Sequence, residues 1–172
     1  MALQIIMWSI YGVALIFSLT SLTGAPFVPS RAKELRQAFK ELYKLGPNDL
    51  LVDLGSGDGI VLKIASEFGA KAVGIEINPF LIIYSKLRLL RNKNARVKSG
   101  NLFKAKFPPE TTIVYAFSVG RDIEKIVNAI QQQADSLGRD LYVISYAFRI
   151  PQFKLIKGYR AYYLYKVRHV KN

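Results

Sequence analysis

The stretch Leu51 to Gly59, LVDLGSGDG, decides how this chain is read. Apolar residues of strand character run directly into Gly55, Gly57 and Gly59, spaced two apart, with acids at Asp53 and Asp58. A helical pattern through Ile60, Val61, Ile64, Ala65 and Phe68 follows and is stopped by Gly69, so the unit is strand, loop, helix. Glycines at such a turn let a ligand touch backbone. In open α/β sheets, ligands bind beyond the carboxyl ends of the strands, where this loop falls.

Working outward, the same alternation repeats. Ala72 to Ile77 is a second apolar run ending in Glu76, and Asn78-Pro79 supplies a cap and a first-turn proline for a helix reaching Arg91. Short strands are expected at Ala95–Lys98 and Thr112–Phe117, then a helix through Ile123, Ile126, Val127 and Ile130 up to Gly138. The chain closes on β-rich runs at Leu141–Phe148, Phe153–Ile156 and Ala161–Val167. Upstream, Leu35, Ala38, Phe39 and Leu42 repeat at helical spacing, with Ser30 as cap and Gly46-Pro47 as stop. Strands alternating with helices imply crossovers and an α/β sandwich with a mostly parallel sheet and an antiparallel C-terminal strand.

A dinucleotide loop requires G-x-G-x-x-G, so that a pyrophosphate meets a helix N-terminus without competing negative charge. Here the third glycine of that pattern is replaced by Ile60, and Asp53 and Asp58 would face any phosphate. Acids in this place suit a ligand with cationic groups and no phosphate, because unlike charges attract more strongly at a partly buried site than in water. S-Adenosylmethionine, with its α-ammonium and sulfonium, has that chemistry. Glu76 ends the second strand, where a carboxylate can accept hydrogen bonds from both hydroxyls of a ribose.

These segments, DLGSGDG followed by VGIEINP, resemble the class I S-adenosylmethionine-dependent methyltransferases over most of the chain from Pro26 to Val167. With PFVPS, GIEINPFL, GNLFK and YAFSV, the resemblance narrows to the small membrane-anchored protein-lysine methyltransferases related to those that modify the mitochondrial ATP synthase c-subunit and the adenine nucleotide translocase. The resemblance implies a Rossmann-like sandwich in which Asp53, Gly55 and Gly57 hold the methionine portion and Glu76 holds the ribose. Asn101 and Leu102 edge the adenine, and Ser56 and Ile77 complete the cofactor contacts. Position 101 is usually Asp in that family, and Asn still offers an acceptor oxygen. Ser118, with Phe117, falls at the end of the fourth strand where methyl transfer would occur; the narrower family has Pro-Ser here. Phe27, Pro29 and Ser30 would shape the entry for a target lysine, although they also read as a linker and a helix cap. The Asn/Asp-Pro-Pro-Tyr signature of amide and adenine N-methyltransferases is absent, which disfavours planar nitrogens as acceptors.

For a lysine acceptor, a site that strips water from the ammonium lowers its pKa. Phe27, Tyr115, Phe117, Tyr146 and Phe148 are the aromatics whose strand-end placement makes them candidates for lining such a channel. The chain has no cysteine and one histidine, His169, which argues against a cysteine- or histidine-held metal.

Ile5 to Leu22 carries no charge, and as a helix it would be about 27 Å long, close to the hydrocarbon core of a bilayer. A signal peptide or a buried core helix also fits this composition, but no Lys or Arg precedes the apolar run. The expected organisation is a membrane anchor over 1–24, a linker over 25–30 containing two prolines, and a methyltransferase domain over 31–172. Arg31, Lys33, Arg36 and Lys40 follow the anchor and predict a single pass with the domain on the cytoplasmic side, or the matrix side in a mitochondrion. The 25 Lys+Arg against 12 Asp+Glu give a net charge of +13, all of it at or after Arg31. Such an excess favours an anionic partner. The basic run Lys86 to Lys98 fits anionic lipid, an ordinary solvated surface, or RNA; an RNA, lipid or small-molecule methyltransferase and a non-catalytic binding domain are the competing functions.

Overall fold

The computed structural model describes residues 1–8, 11–12, 32–118 and 122–170. From Ala32 onward the described residues form seven strands and four helices in the order α1 (Ala32–Leu42), β1 (Leu50–Leu54), α2 (Ile60–Glu67), β2 (Lys71–Glu76), α3 (Pro79–Arg88), β3 (Ala95–Ser99), β4 (Ile113–Phe117), α4 (Ile123–Leu137), β5 (Leu141–Tyr146), β6 (Lys154–Tyr159) and β7 (Tyr162–Val167). One sheet holds all seven strands in the order β3-β2-β1-β4-β5-β7-β6. The first five are mutually parallel, and β7 is antiparallel to both β5 and β6. The expected sandwich is therefore present. Residues 2–8 are helical and exposed. The remainder of the expected anchor falls largely outside the described residues, among which no helix is long and apolar enough to cross a membrane.

Both faces of the sheet are covered, which is why β1 (LLVDL) is buried along its whole length rather than on alternate residues. Leu35 and Phe39 of α1, Leu62 and Ile64 of α2, and Ile82 of α3 pack on one face with Leu51, Ile113 and Tyr115. Ile126, Val127 and Ile130 of α4 pack on the other with Val52, Val114 and Val143. Asp53 and Phe117 alternate in step with Leu51 and Tyr115, so both lie on the α1–α2 face.

Several boundaries differ from the expectation. Helix α1 stops at Leu42 instead of running to Gly46, because Asp49 organises the following turn: it accepts the Tyr43 hydroxyl at 2.8 Å, the Thr112 hydroxyl at 2.9 Å and the Gly46 N–H at 2.9 Å. Strand β5 ends at Tyr146, since Ala147 adopts a left-handed φ of 66° and Ser145 Oγ donates to the Phe148 carbonyl at 2.6 Å. This bend turns Phe148 into the α4-side core. Helix α3 closes with Leu89 N–H bonded to Ser85 O, and the chain from Leu89 to Arg91 continues as a turn. Ser30, the expected cap of α1, lies outside the described residues.

At the sheet's lower end Asp140 gathers the C-terminal segment. Its carboxylate accepts the His169 N–H at 3.2 Å, meets His169 Nδ1 at 3.0 Å and pairs with Lys166 at 3.1 Å. The His169 bond first, then Lys166, hold this carboxyl down at about 2. A depressed carboxylate contributes stability above its unfolded pKa of about 3.9 and loses it as pH falls through the folded value. Asp140→Asn is expected to lower Tm at pH 6, with the gap to the parent chain closing between about pH 4 and pH 2; thermal melts across that range check it.

Candidate functional site

The site forms where β1, β2 and β4 end together. Leu54 pairs with Ile75 on one side and Ala116 on the other, which places the loop after β1 between Glu76 and Phe117. The loop needs its glycines: Gly55, Gly57 and Gly59 all take left-handed φ, at 78°, 52° and 76°. Its first two N–H groups, of Gly55 and Ser56, both donate to Ile75 O, at 2.9 and 3.1 Å.

Glu76 then ties the two crossovers together. Its Oε2 accepts the Gly57 N–H at 2.8 Å, and its Oε1 accepts the N–H groups of Ile77 and Asn78, each at 2.9 Å. A carboxylate offers about four acceptor positions, so three backbone donors leave capacity for a further donor. Asn78 Oδ1 in turn caps α3 by accepting from Phe80 and Leu81. Glu76, marked in the sequence for the ribose, thus also builds the loop.

Close packing fixes the loop from behind. A Cβ at Gly74, in the middle of β2, would collide with the Ser56 side chain and lie 2.7 Å from Leu62 Cδ1. A Cβ at Gly59 would strike Ser85 of α3, whose side chain is fully buried. Gly74 and Ser85 were missed in the sequence. Gly74 was detectable, because a glycine inside an apolar strand pattern marks a close backbone approach; Ser85 carries no such signal.

The two acids of the loop have different surroundings. Asp58 is drawn to α3 by an ion pair with Arg88 at 2.9 Å, and its other oxygen accepts the Ile60 N–H at 3.1 Å. This corrects the expectation that both acids face the ligand. Asp53 is 2% exposed, and its Oδ2 finds no hydrogen-bond partner among the described residues. Burial first, then the nearby Glu76 and Asp58 carboxylates, push its pKa well above the usual carboxylate range. An ionised carboxylate in such a place is costly until a cation or donor reaches it.

Leu102 Cδ2 lies 3.7 Å from where a Gly55 Cβ would be, and Gly100 N–H donates to Glu76 O at 2.9 Å, so the 100–102 turn borders the loop. The acceptor oxygen expected of Asn101 already takes the Phe103 N–H at 2.9 Å, as an Asx-turn oxygen does. Only its second lone pair remains for a ligand. Ile77 is half exposed at the loop's rim.

Ser118 is buried directly after β4. Phe117 stacks on Tyr146 at 5.6 Å between ring centroids, and Tyr146 on Tyr162 at 4.6 Å, giving an aromatic row along the strand ends on the Asp53 side. Burial raises the Tyr162 hydroxyl's pKa. Tyr115 and Phe148, expected as channel aromatics, are core residues instead: Tyr115 packs edge-on against Phe39 and Phe148 lies in the α4-side cluster. Phe27, Pro29 and Ser30 lie outside the described residues. No cluster of metal-ligating side chains occurs among the described residues.

A sheet of this order with antiparallel β7, a glycine loop after β1 and an acid at the end of β2 defines the Rossmann-like methyltransferase fold. Residues 53–157 match the model of the ANTKMT methyltransferase domain, and the chain belongs to that family. It is 30% identical over 151 residues to the ATP synthase c-subunit lysine N-methyltransferase of Mus musculus, covering 84% of this chain and 58% of the relative. It is 31% identical over 130 residues to a protein-lysine N-methyltransferase of Saccharolobus islandicus, covering 73% of this chain and 78% of that one. The chain thus spans 58% of the mouse relative's length and 62% of the human one's. In fold it is similar to an RNA methyltransferase of Salinibacter ruber solved with S-adenosyl-L-homocysteine, at a TM-score of 0.68 and 23% identity over 81% of this chain and 92% of that one.

Two outcomes follow from this geometry. Gly74→Ala is expected to cost about 1–3 kcal/mol by overpacking, read by chemical denaturation. Asp53→Asn should instead stabilise the ligand-free protein. A raised carboxyl pKa means the folded chain loses stability as pH rises from about 3.9 through the folded value. The Tm advantage of Asp53→Asn should therefore grow from pH 4 to pH 8, by about 2–4 °C for each kcal/mol recovered.

Proposed function

We propose that this chain is an S-adenosylmethionine-dependent methyltransferase that modifies lysine side chains of a protein, and that residues 1–24 hold it at a membrane. The observation that carries the reading is Asp53: a buried carboxylate oxygen without a partner among the described residues, beside a glycine loop, in a chain of this family. A phosphate would be repelled there, whereas an α-ammonium supplies the missing charge and donors. The closeness of Gly55 to Leu102 and the bare backbone of Gly55 and Gly57 suit a flat, backbone-contacted ligand. The protein-lysine methyltransferase names of the relatives from mouse and Saccharolobus islandicus support lysine as the acceptor.

When bound, the cofactor supplies a methyl group on a sulfonium, already activated for in-line displacement. The chain's own residues then have to bind, orient and dehydrate. In this reading Asp53 and the N–H groups of the 55–57 loop hold the amino-acid portion, Glu76 takes ribose hydroxyls with its free acceptor capacity, and Ser56, Ile77, Asn101 and Leu102 border the nucleoside. Phe117 and Tyr146 present ring faces that guide a lysine ammonium by cation–π attraction while excluding water, which lowers its pKa toward the neutral nucleophile. Ser118 Oγ, buried at the end of β4, accepts a hydrogen bond from the lysine amine and aims its lone pair. Phe27, Pro29 and Ser30 are assigned to the substrate side because α1 begins just after them and its Glu34 pairs with Arg160, next to the Tyr162 end of the aromatic row.

The uncharged Ile5–Leu22 segment supports a single-pass anchor, and the cations from Arg31 to Lys40 support a domain on the cytoplasmic side, or the matrix side in a mitochondrion. A lysine on a membrane protein is then the substrate within reach. Incubating the chain with membranes and labelled S-adenosylmethionine tests the reading. Label is expected in lysine of a membrane protein, falling about a hundredfold with Asp53→Ala or Glu76→Ala as charge-assisted contacts are lost. Label confined to RNA or lipid would overturn the lysine assignment.

A further inference from the structure

Helix α3 has a second face that the site does not use. Ile82 and Ser85, with Leu89 just past its end, are buried against the sheet. Phe80, Ile83, Tyr84 and Leu87 lie on the opposite side, continued by Leu90 in the closing turn, and all five are between 53% and 76% exposed. At 100° per residue these positions form one stripe pointing away from the core, where a soluble helix carries charge. Ile77, also half exposed, extends the stripe to the rim of the glycine loop.

The charges carried by this segment of the chain are of one sign. From Ile77 to Pro109 the chain has eight Lys and Arg and no acid. Lys86 flanks the stripe on one side and Arg88 on the other, with Arg91 and Lys93 beyond its end; Arg96 and Lys98 of the edge strand β3 are exposed on the opposite face of the sheet, since Ala95 and Val97 are the β3 residues that pack with Ile82 and Leu89. Arg88 is stacked on Tyr84 at 5.2 Å while paired to Asp58.

We propose that the outer face of α3 is a docking surface for an anionic lipid bilayer, lying in the interface with its apolar stripe in the headgroup–acyl boundary and its cations on lipid phosphates. Large apolar residues flanked by Lys and Arg are what such a helix requires. A second copy of the chain fits poorly, since a two-fold contact would set this acid-free basic region against itself. RNA fits less well, because Phe80 and Tyr84 offer stacking planes but Ile83, Leu87 and Leu90, the larger part of the stripe, offer phosphates and bases neither donors nor stacking planes. The inference does not depend on the chemistry at Asp53, and it explains how the loop's rim at Ile77 would come to face the membrane.

The absence of cysteine makes the test direct. Single Leu87→Cys and Gln132→Cys variants of the full chain, the latter on exposed α4, are labelled with an environment-sensitive fluorophore and placed in phosphatidylcholine vesicles with or without phosphatidylglycerol. The Leu87 label is expected to shift blue and be quenched by nitroxide lipids when phosphatidylglycerol is present, and the Gln132 label to stay in water. Adding Lys86→Glu and Arg91→Glu should reduce the inserted fraction about tenfold or more. A Leu87 label that remains in water with phosphatidylglycerol, that shifts in lipid-free detergent with rising protein concentration, or that responds to RNA instead of lipid overturns the proposal. Calorimetry with S-adenosylmethionine on the same labelled chain separates the two readings: cofactor binding without insertion overturns docking alone, and insertion without cofactor binding overturns the methyltransferase alone.

Discussion

The Glu76 carboxylate is the constraint on which the candidate site depends. Its three backbone donors come from two crossovers, Gly57 after β1 and Ile77 and Asn78 after β2. N–H groups at the ends of buried strands must be satisfied, and a single anion satisfies these at about 2.9 Å while fixing the separation of the two exits. Asn78 passes that order on to α3 by capping it, and α3 presses Ser85 against Gly59. Ser56, meanwhile, sits in the space left by the missing side chain of Gly74. The left-handed glycines are therefore held from three sides before any ligand arrives, which is the preorganisation a small binding site needs.

Against that rigid frame, Asp53 stands out as an unfavourable choice for the fold alone. Asp58, five residues on, has the same side chain and is neutralised by Arg88 and a backbone N–H. Asp53 has burial and two neighbouring acids, all of which disfavour its charge. A residue whose charge the fold disfavours, placed where strand ends and a glycine loop converge, fits the proposed reading in which stability is exchanged for binding.

The fold and the loop were legible because their signals are local. Glycine spacing, Asn78-Pro79 and the apolar runs mark where strands pass into helices, and they placed every strand of the parallel sheet within a residue or two of its observed bounds. Three-dimensional competition was not legible. Nothing near Leu42 announces that Asp49 will capture Tyr43 and Gly46 and end α1 early. The sequence cannot assign Asp58 of the loop to Arg88, thirty residues away on α3. Tyr115 and Tyr146 look alike as strand aromatics, yet one meets Phe39 in the core and the other stacks at the open end of the sheet. Partners of that kind are chosen by tertiary packing, for which residue type and periodicity carry no term.

Helices α1 and α3 flank α2 on the same face of the sheet, and their outer surfaces are built on opposite plans. On α1 the surface is consumed internally: Arg36 makes a bidentate pair with Glu67 at 2.7 and 3.0 Å, and Gln37 bonds Glu41. Such pairs contribute little stability individually, but they leave a polar surface on which Glu34, Arg36 and Glu41 have opposite charges beside them and whose natural neighbour is water. On α3 the outward positions are Phe, Ile, Tyr and Leu, and the charges that the helix itself carries are all positive; Asp58 matches Arg88, while the apolar area finds no match within the described residues. Exposed apolar area of this extent on one helix is costly to leave in water. The inner side of that same helix holds Gly59 and carries the Asn78 cap, so whatever settles the outer side bears on the position of the glycine loop. A single short helix thereby joins the surface that asks for a partner to the backbone that would hold the ligand.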